Sequence, residues 1–258
     1  MKIAFIVTMH QSQEIRPDGF KLIDRYLMSL KKSVNSKFDY SIFLFDNTSV
    51  DKFDLSKYSD MDIRYEYVED QTLRGNTGPW NDGALAAYND GFDKIYISND
   101  DLIFNESINY LFDETTENDV IYAPTCQPGG MLGQHIQIQT SQVDDILDGT
   151  GGAYLNGFFF GFTKTFYEKF RIDKNNIFDP EKKWGGNEEE IQERLWKRGV
   201  RSYVIMMSWI YHEKIRAWKY HYGQRVTEED YDNLSKKKSH DYEMNWKPSM
   251  ESIEYESD

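Results

Sequence analysis

Apolar residues fill positions 3–8, a short run rich in β-favouring side chains, and predict a first strand. Over 19–34 the apolar positions become Phe20, Ile23, Leu27, Leu30 and Val34, the spacing of one helix face. Residues 40–45 predict a second strand, and 63–68 an alternating third. Residues 80–92, with Ala84, Leu85, Ala87 and Tyr88, read as a helix, and 94–98 as the next strand. Strands alternating with helices predict an α/β fold, with a Rossmann-like, mostly parallel central sheet flanked by helices.

The second half is less regular. A short helix is predicted at 107–112, and strands at 119–123 and 134–140 around a Gly- and Pro-rich loop. Gly149 to Gly152 reads as a flexible loop before Phe158-Phe159-Phe160. Helices follow at 164–170 and 188–198, the second with Ile191 and Leu195 four apart and Gly199 as its stop. A late strand, 201–207, leads to His212. No repeat of solenoid spacing is present. From about residue 223 the chain turns polar and charged, which predicts one domain over 1–222 and a polar extension over 223–258.

With 258 residues the chain can bury a sizeable core, and aromatics are 16% of it. The formal charge of −14, from 44 acidic and 30 basic residues, disfavours nucleic acid as a partner, since phosphate neutralisation needs basic charge. A nucleotide ligand stays compatible, because a bound metal inverts the local charge. Cys126 is the only cysteine, so no intramolecular disulfide forms, in keeping with a reducing compartment. The first strand is too short for a signal peptide, and no apolar run reaches the ~20 residues that span a bilayer. The expectation is a soluble, cytoplasmic protein without a transmembrane segment.

Four segments carry candidate chemistry. At Asn99-Asp100-Asp101 an apolar run stops on two adjacent carboxylates and resumes as Leu102-Ile103-Phe104. An acidic turn between two short strands accounts for this, and so does a strand end where carboxylates hold a hard divalent cation on a phosphate. Asp46-Asn47-Thr48-Ser49, after the second strand, reads as an Asx or Ser/Thr turn, or as an acid that meets a base or ribose. Between Arg74 and Gly83, three glycines and a helix start offer backbone N–H groups to an anion, with Arg74 beside it. An ordinary loop capped by Asn81 or Asp82 fits the same residues. Trp184-Gly185-Gly186-Asn187-Glu188-Glu189-Glu190 opens a helix: acids there suit the helix dipole, and a tryptophan beside two glycines suits a loop that stacks on a sugar. A carboxylate just behind it can act as general base. His212 adds a candidate imidazole ligand. No cysteine cluster, H-x-x-x-H pair or G-x-S-x-G elbow is present.

In this order the segments resemble a GT-A-type nucleotide-sugar glycosyltransferase over roughly residues 1–215. Phe45-Asp46-Asn47-Thr48-Ser49-Val50-Asp51 is similar to the V-D-N-x-S-x-D pattern of family 2 glycosyltransferases. Asn76-Thr77-Gly78 with Asn81-Asp82-Gly83 resembles that family's N-x-G…N-x-G segment, and Ser98-Asn99-Asp100-Asp101 its D-x-D-type metal motif. Trp184 to Arg194 resembles the W-G-G-E-D-D-D…I-x-x-R segment of the beta-1,4-galactosyltransferases, and Asn156 to Gly161 their aromatic, Gly-rich donor segment. Asn187 departs from that pattern where the family has an acid, and Glu188, Glu189 and Glu190 replace aspartates.

The resemblance implies a nucleotide-binding half over about 1–104 and an acceptor and catalytic half over 105–222. It implies an inverting transfer of a hexose from a nucleotide-diphosphate sugar, with a lean to UDP, to a hydroxyl of a glycan, lipid-linked or protein acceptor. Asp101, Asp100 and His212 then hold Mn2+ or Mg2+. Thr8, Asp46, Arg74, Asn76, Asn81, Asp100 and Trp184 bind the donor, and Trp184 and Glu189 the acceptor. Glu188 is the base, with Glu189 as the alternative. A sugar-nucleotide nucleotidyltransferase is a competing expectation, although Met9-His10-Gln11-Ser12 follows the first strand where a Gly-rich basic loop is needed. A catalytically inactive relative is another, resting on Asn187.

Overall fold

The computed structural model describes residues 1–12, 18–69, 75–127, 144–147, 155, 157–183 and 186–212. Strand β1 (Lys2–Met9) is followed by helix α1 (Gly19–Ser33), β2 (Asp39–Asn47), β3 (Ile63–Val68), α2 (Thr77–Asn89), β4 (Lys94–Asn99) and β5 (Leu102–Ile103). Then come α3 (Ile108–Glu114), β6 (Val120–Gln127), β7 (Asp144–Leu147), β8 (Phe159–Thr163), α4 (Lys164–Phe170), α5 (Asn187–Trp196) and β9 (Arg201–His212). The nine strands form one sheet in the order β3-β2-β1-β4-β8-β6-β9-β5, with β7 also on β9.

The first four strands in that order are parallel, as the alternation of strands and helices predicts. From β4 onward the sheet is mixed: β8 runs antiparallel to β4 and β6, while β6 and β9 are parallel. Because β5 starts three residues after β4 ends yet pairs with the far strand β9, the second half of the sheet curls back on itself. The curl brings the end of β4 and the end of β9 together.

Period-2 alternation sorts the core into two layers. Ile3, Phe5, Val7 and Met9 of β1 face α1 and α3, and Ala4 and Ile6 face the layer of α2, α4 and α5. Both faces of β1 are covered, which is why positions 3–8 read as an unbroken apolar run. Two glycines permit close packing. A Cβ on Gly83 of α2 would lie 2.5 Å from Ile6 Cγ2, and one on Gly161 of β8 2.2 Å from Tyr96 Cδ1. The Gly161→Ala protein is therefore expected to lose about 1–3 kcal/mol of stability in urea unfolding, the usual cost of overpacking. An unchanged midpoint would show that Tyr96 gives way freely.

The late strand is longer than the pattern predicts. It runs to His212, so the histidine ends β9 and lies directly opposite Leu102. Between Pro124↔Ile205 and Thr125↔Trp209 the register shifts, leaving residues 206–208 as a bulge on β9. An odd insertion moves every later residue of the strand to the other face. Strand β7 is not signalled by the sequence. The strand expected over 134–140 and the loop at 149–152 lie outside the described residues, as does the 223–258 extension.

Candidate active site

Thr8, Asp46 and Asn99 lie at the carboxyl ends of three adjacent parallel strands. Thr8 aligns with Phe45 on one side and Asn99 on the other, and Met9 with Asp46. Asp46 is fully buried, and its carboxylate accepts from Ser49 N at 3.0 Å and from Tyr65 Oη at 2.7 Å. The turn it caps is strained, because Thr48 has φ +56° and a β-branched residue rarely adopts that conformation. His10 Nδ1 lies 2.6 Å from Asn47 O, and Asn47 Nδ2 donates to Asn76 Oδ1 at 2.9 Å. His10 and Asn47 thus join Thr8, Asp46 and Asn76 in one polar cluster at the strand ends. Asp46, Thr8 and Asn76 are expected there from the sequence; His10 is not.

Helix α2 is tied to the later chain by its side chains. Asn81 is buried; its Oδ1 accepts from Ile177 N and Phe178 N, and its Nδ2 donates to Phe178 O. Asn76 N donates to Lys183 O at 2.9 Å, and Gly75, at φ +58°, packs so closely that a Cβ would lie 2.1 Å from that carbonyl. Arg74 and Trp184, expected at the donor, lie outside the described residues.

Asn187, the first residue of α5, has a structural task of its own. It is buried and its Nδ2 donates to Thr77 Oγ1 at 2.7 Å. The single hydroxyl proton of Thr77 goes to the carbonyls of Lys182 and Lys183. Position 187 must therefore supply a donor, which an amide does and a carboxylate does not. Asn187→Asp would set two acceptors against each other in a buried place. It is expected to cost about 1–3 kcal/mol at neutral pH, measured by urea unfolding; no loss would mean that Thr77 turns its proton freely.

The carboxyl of Glu188 rests on Gly157. A Cβ there would come within 2.9 Å of Glu188 Cδ and 3.1 Å of both its oxygens, so this place admits only glycine without a shift. Burial pushes the Glu188 carboxyl above its usual range; the Glu189 charge adds to this, while backbone N–H groups of Glu188 and Gly157 oppose it. Glu189 itself is exposed.

One side chain holds this arrangement and was missed in the sequence. Gln192 Oε1 accepts from Leu155 N and Ser202 Oγ, and its Nε2 donates to Leu155 O and Glu188 O. A glutamine one helical turn behind an acidic run carries no sequence signal of such a role.

Phe158, next to Gly157, connects the acid to the Asp pair. Its carbonyl accepts from Asn99 N at 2.8 Å, and its ring stacks on His212, with centroids 4.7 Å apart and planes at 32°. His212 Nε2 lies 3.2 Å from Asp101 Oδ1, with both side chains almost wholly buried. Asp100, beside them, is 1% exposed. Asp101 and His212, distant in sequence, meet because β5 pairs with β9, and Asp100 precedes Asp101 in the same turn. Among the described residues no cluster of three or more acidic, histidine or cysteine side chains of metal-holding geometry occurs. Two protein ligands nonetheless suit a hard cation that also takes oxygens from substrate phosphates. The buried His212 Nδ1 has no hydrogen-bond partner among the described residues, so this polar corner is one that a bound group can complete.

No family model matches the chain, and no curated protein matches it. The fold is similar to that of GalNAc-T7 solved with UDP, GalNAc and Mn2+, at TM-score 0.61 and 14% identity over 84% of this chain and 45% of that one. It is also similar to S. aureus TarS 1-349 in complex with UDP-GlcNAc, at TM-score 0.58 and 15% identity over 83% of this chain and 59% of that one. TarS 1-349 in complex with UDP gives 0.56 and 15% over 82% and 60%. The chain thus spans between 45% and 60% of the length of these proteins. At such identities the likeness establishes the architecture alone: the curled, mixed α/β sheet of this chain is a GT-A fold.

Proposed function

We propose that this chain is an inverting, metal-dependent glycosyltransferase that transfers a hexose from a nucleotide-diphosphate sugar, with UDP as the favoured nucleotide, to an acceptor hydroxyl. The observation that carries the reading is the unbroken run of contacts from Glu188 through Gly157 and Phe158 to His212 and Asp101. It links a half-buried acid of raised pKa, through neighbouring residues, to a carboxylate–imidazole pair at the carboxyl ends of the strands, where open α/β sheets take ligands. The similar proteins solved with UDP or UDP-GlcNAc favour a uridine nucleotide.

In this reading Asp101, with Asp100 and His212, holds a divalent cation, Mn2+ or Mg2+, which when bound supplies positive charge to the departing diphosphate. Thr8 meets the nucleoside; Asp46, fully buried and engaged by Ser49 and Tyr65, fixes the turn beside it, and Asn76 and Arg74 serve the phosphates. Asn81, whose amide is engaged with residues 177–178, serves the donor by fixing α2. Glu188 takes the proton of the acceptor hydroxyl, and that oxygen attacks the anomeric carbon. The bond to the diphosphate breaks with its electron pair leaving on the phosphate oxygen, and the anomeric configuration inverts. Glu189, exposed at the same helix start, orients the acceptor, and Trp184 covers the sugar and keeps water out. The direct test is release of nucleoside diphosphate from a panel of nucleotide sugars with manganese. Release that needs both metal and an acceptor supports the reading; no release and no metal-dependent nucleotide binding overturns it.

A further inference from the structure

The end of the fold opposite the candidate site carries a different chemistry. Residues 164–174 and 193–201 hold eight basic and three acidic residues, in a chain that has 44 acidic and 30 basic. The two segments meet at Phe170, whose ring lies under Lys169 Nζ at 4.8 Å and Arg198 Cζ at 5.0 Å. Next to it, Tyr88 lies under Lys164 at 5.3 Å and Arg171 at 5.4 Å, and stacks on Tyr167. Arg194, whose charge is paired with Glu190 at 2.5 Å, ties the end of α5 to this layer by donating to Phe170 O and Ile177 O. Of the acids, Asp173 turns its carboxylate to Asn175 and Asn176, whereas Glu168 and Glu193 face solvent. Two large apolar side chains stand out among the basic ones, Trp196 at 41% and Ile172 at 45% exposure.

We propose that this end of the fold docks on an anionic lipid bilayer, with Lys169, Lys174, Lys197, Arg198 and Arg201 meeting the headgroups and Trp196 and Ile172 entering the interfacial layer. A strongly acidic protein is repelled by such a surface unless a local cluster of basic residues faces it, and these two segments supply one. The apolar pair favours a membrane over a soluble polyanion, which rewards charge alone. Arg201 opens β9 and His212 ends it, so docking would hold the candidate site at the distal end, facing solution. The proposal is independent of the glycosyltransferase reading.

Sedimentation of the whole chain with phosphatidylcholine vesicles, with and without phosphatidylglycerol, tests it. The protein is expected to pellet with the anionic vesicles alone and to be released by salt. Lys174→Glu/Lys197→Glu/Arg201→Glu, three exposed positions, should weaken binding on the order of a hundredfold. Trp196→Ser, which removes no charge, should weaken it several-fold, and this second variant keeps the test decisive if the triple one fails to fold. Wild-type protein left in the supernatant at low salt overturns the proposal. So does a Trp196→Ser protein that binds as wild type while soluble heparin competes binding away, since the patch then recognises a polyanion in solution.

Discussion

Glu188→Gln is expected to leave nucleotide binding intact and to lower the rate of transfer by about 10²- to 10⁴-fold, the usual contribution of a general base. The substitution keeps the shape of the side chain against Gly157 and removes the proton acceptor. Nucleotide titration and product release, measured on the same preparation, separate the two effects. Undiminished turnover would pass the role of base to Glu189. The pH dependence has a definite sign. Only the ionised acid accepts a proton, and burial raises its pKa, so the acidic limb of kcat/KM should lie above the ordinary glutamate range. The same shift affects stability. A raised pKa means that the stabilising protonated state is present below the unfolded-state value and is lost as pH rises through the folded-state value. The glutamine variant, neutral throughout, should therefore gain melting temperature relative to wild type as pH rises through that window. A constant difference across pH would show that Glu188 is not desolvated.

Asp101→Ala is expected to abolish the part of UDP binding that depends on manganese. A bound cation is worth several kcal/mol to a charged diphosphate, so the loss should be on the order of 10³-fold in affinity, read by calorimetry with and without metal. Metal-independent binding, carried by the cluster of Thr8, Asp46 and Asn76, should persist at its wild-type value. Equal manganese-dependent binding in variant and wild type would remove Asp101 and His212 from the donor site. The variant also leaves His212 buried without its carboxylate partner, so a thermal melt should accompany the titration.

The reach of the sequence differed between the two halves of the chain. The strand at 3–8 was legible as an unbroken apolar run because both its faces are covered, and the strand at 63–68 and the helix at 19–34 because each lays one periodic face on the core. Helix α2 was less so: it begins at Thr77, three residues before its apolar stripe, because Thr77 and Asn81 bind the distant segment 177–183. The mixed pairing of β6, β8 and β9 was not legible, since an apolar run is the same whether its neighbour runs parallel or antiparallel. Among the candidate residues, the Asp pair and the acidic helix start stood out because charge interrupts apolar runs there. His10 and Gln192 did not, because a buried polar group is recognised by its partners.

By itself, the sequence determined that Asp100 and Asp101 interrupt an apolar run after a strand, that the acidic run at 188–190 lies in the first turn of a helix, and that the first half is a parallel α/β sheet. These are local facts, written in side-chain period and in chain-breaking residues. Tertiary structure alone decided that Asp101 meets His212, that Glu188 lies on Gly157, and that Asn187 clamps Thr77. The physical reason is register. The bulge at residues 206–208 of β9 sets which side chains of that strand face β5, and such a shift depends on packing between segments more than eighty residues apart.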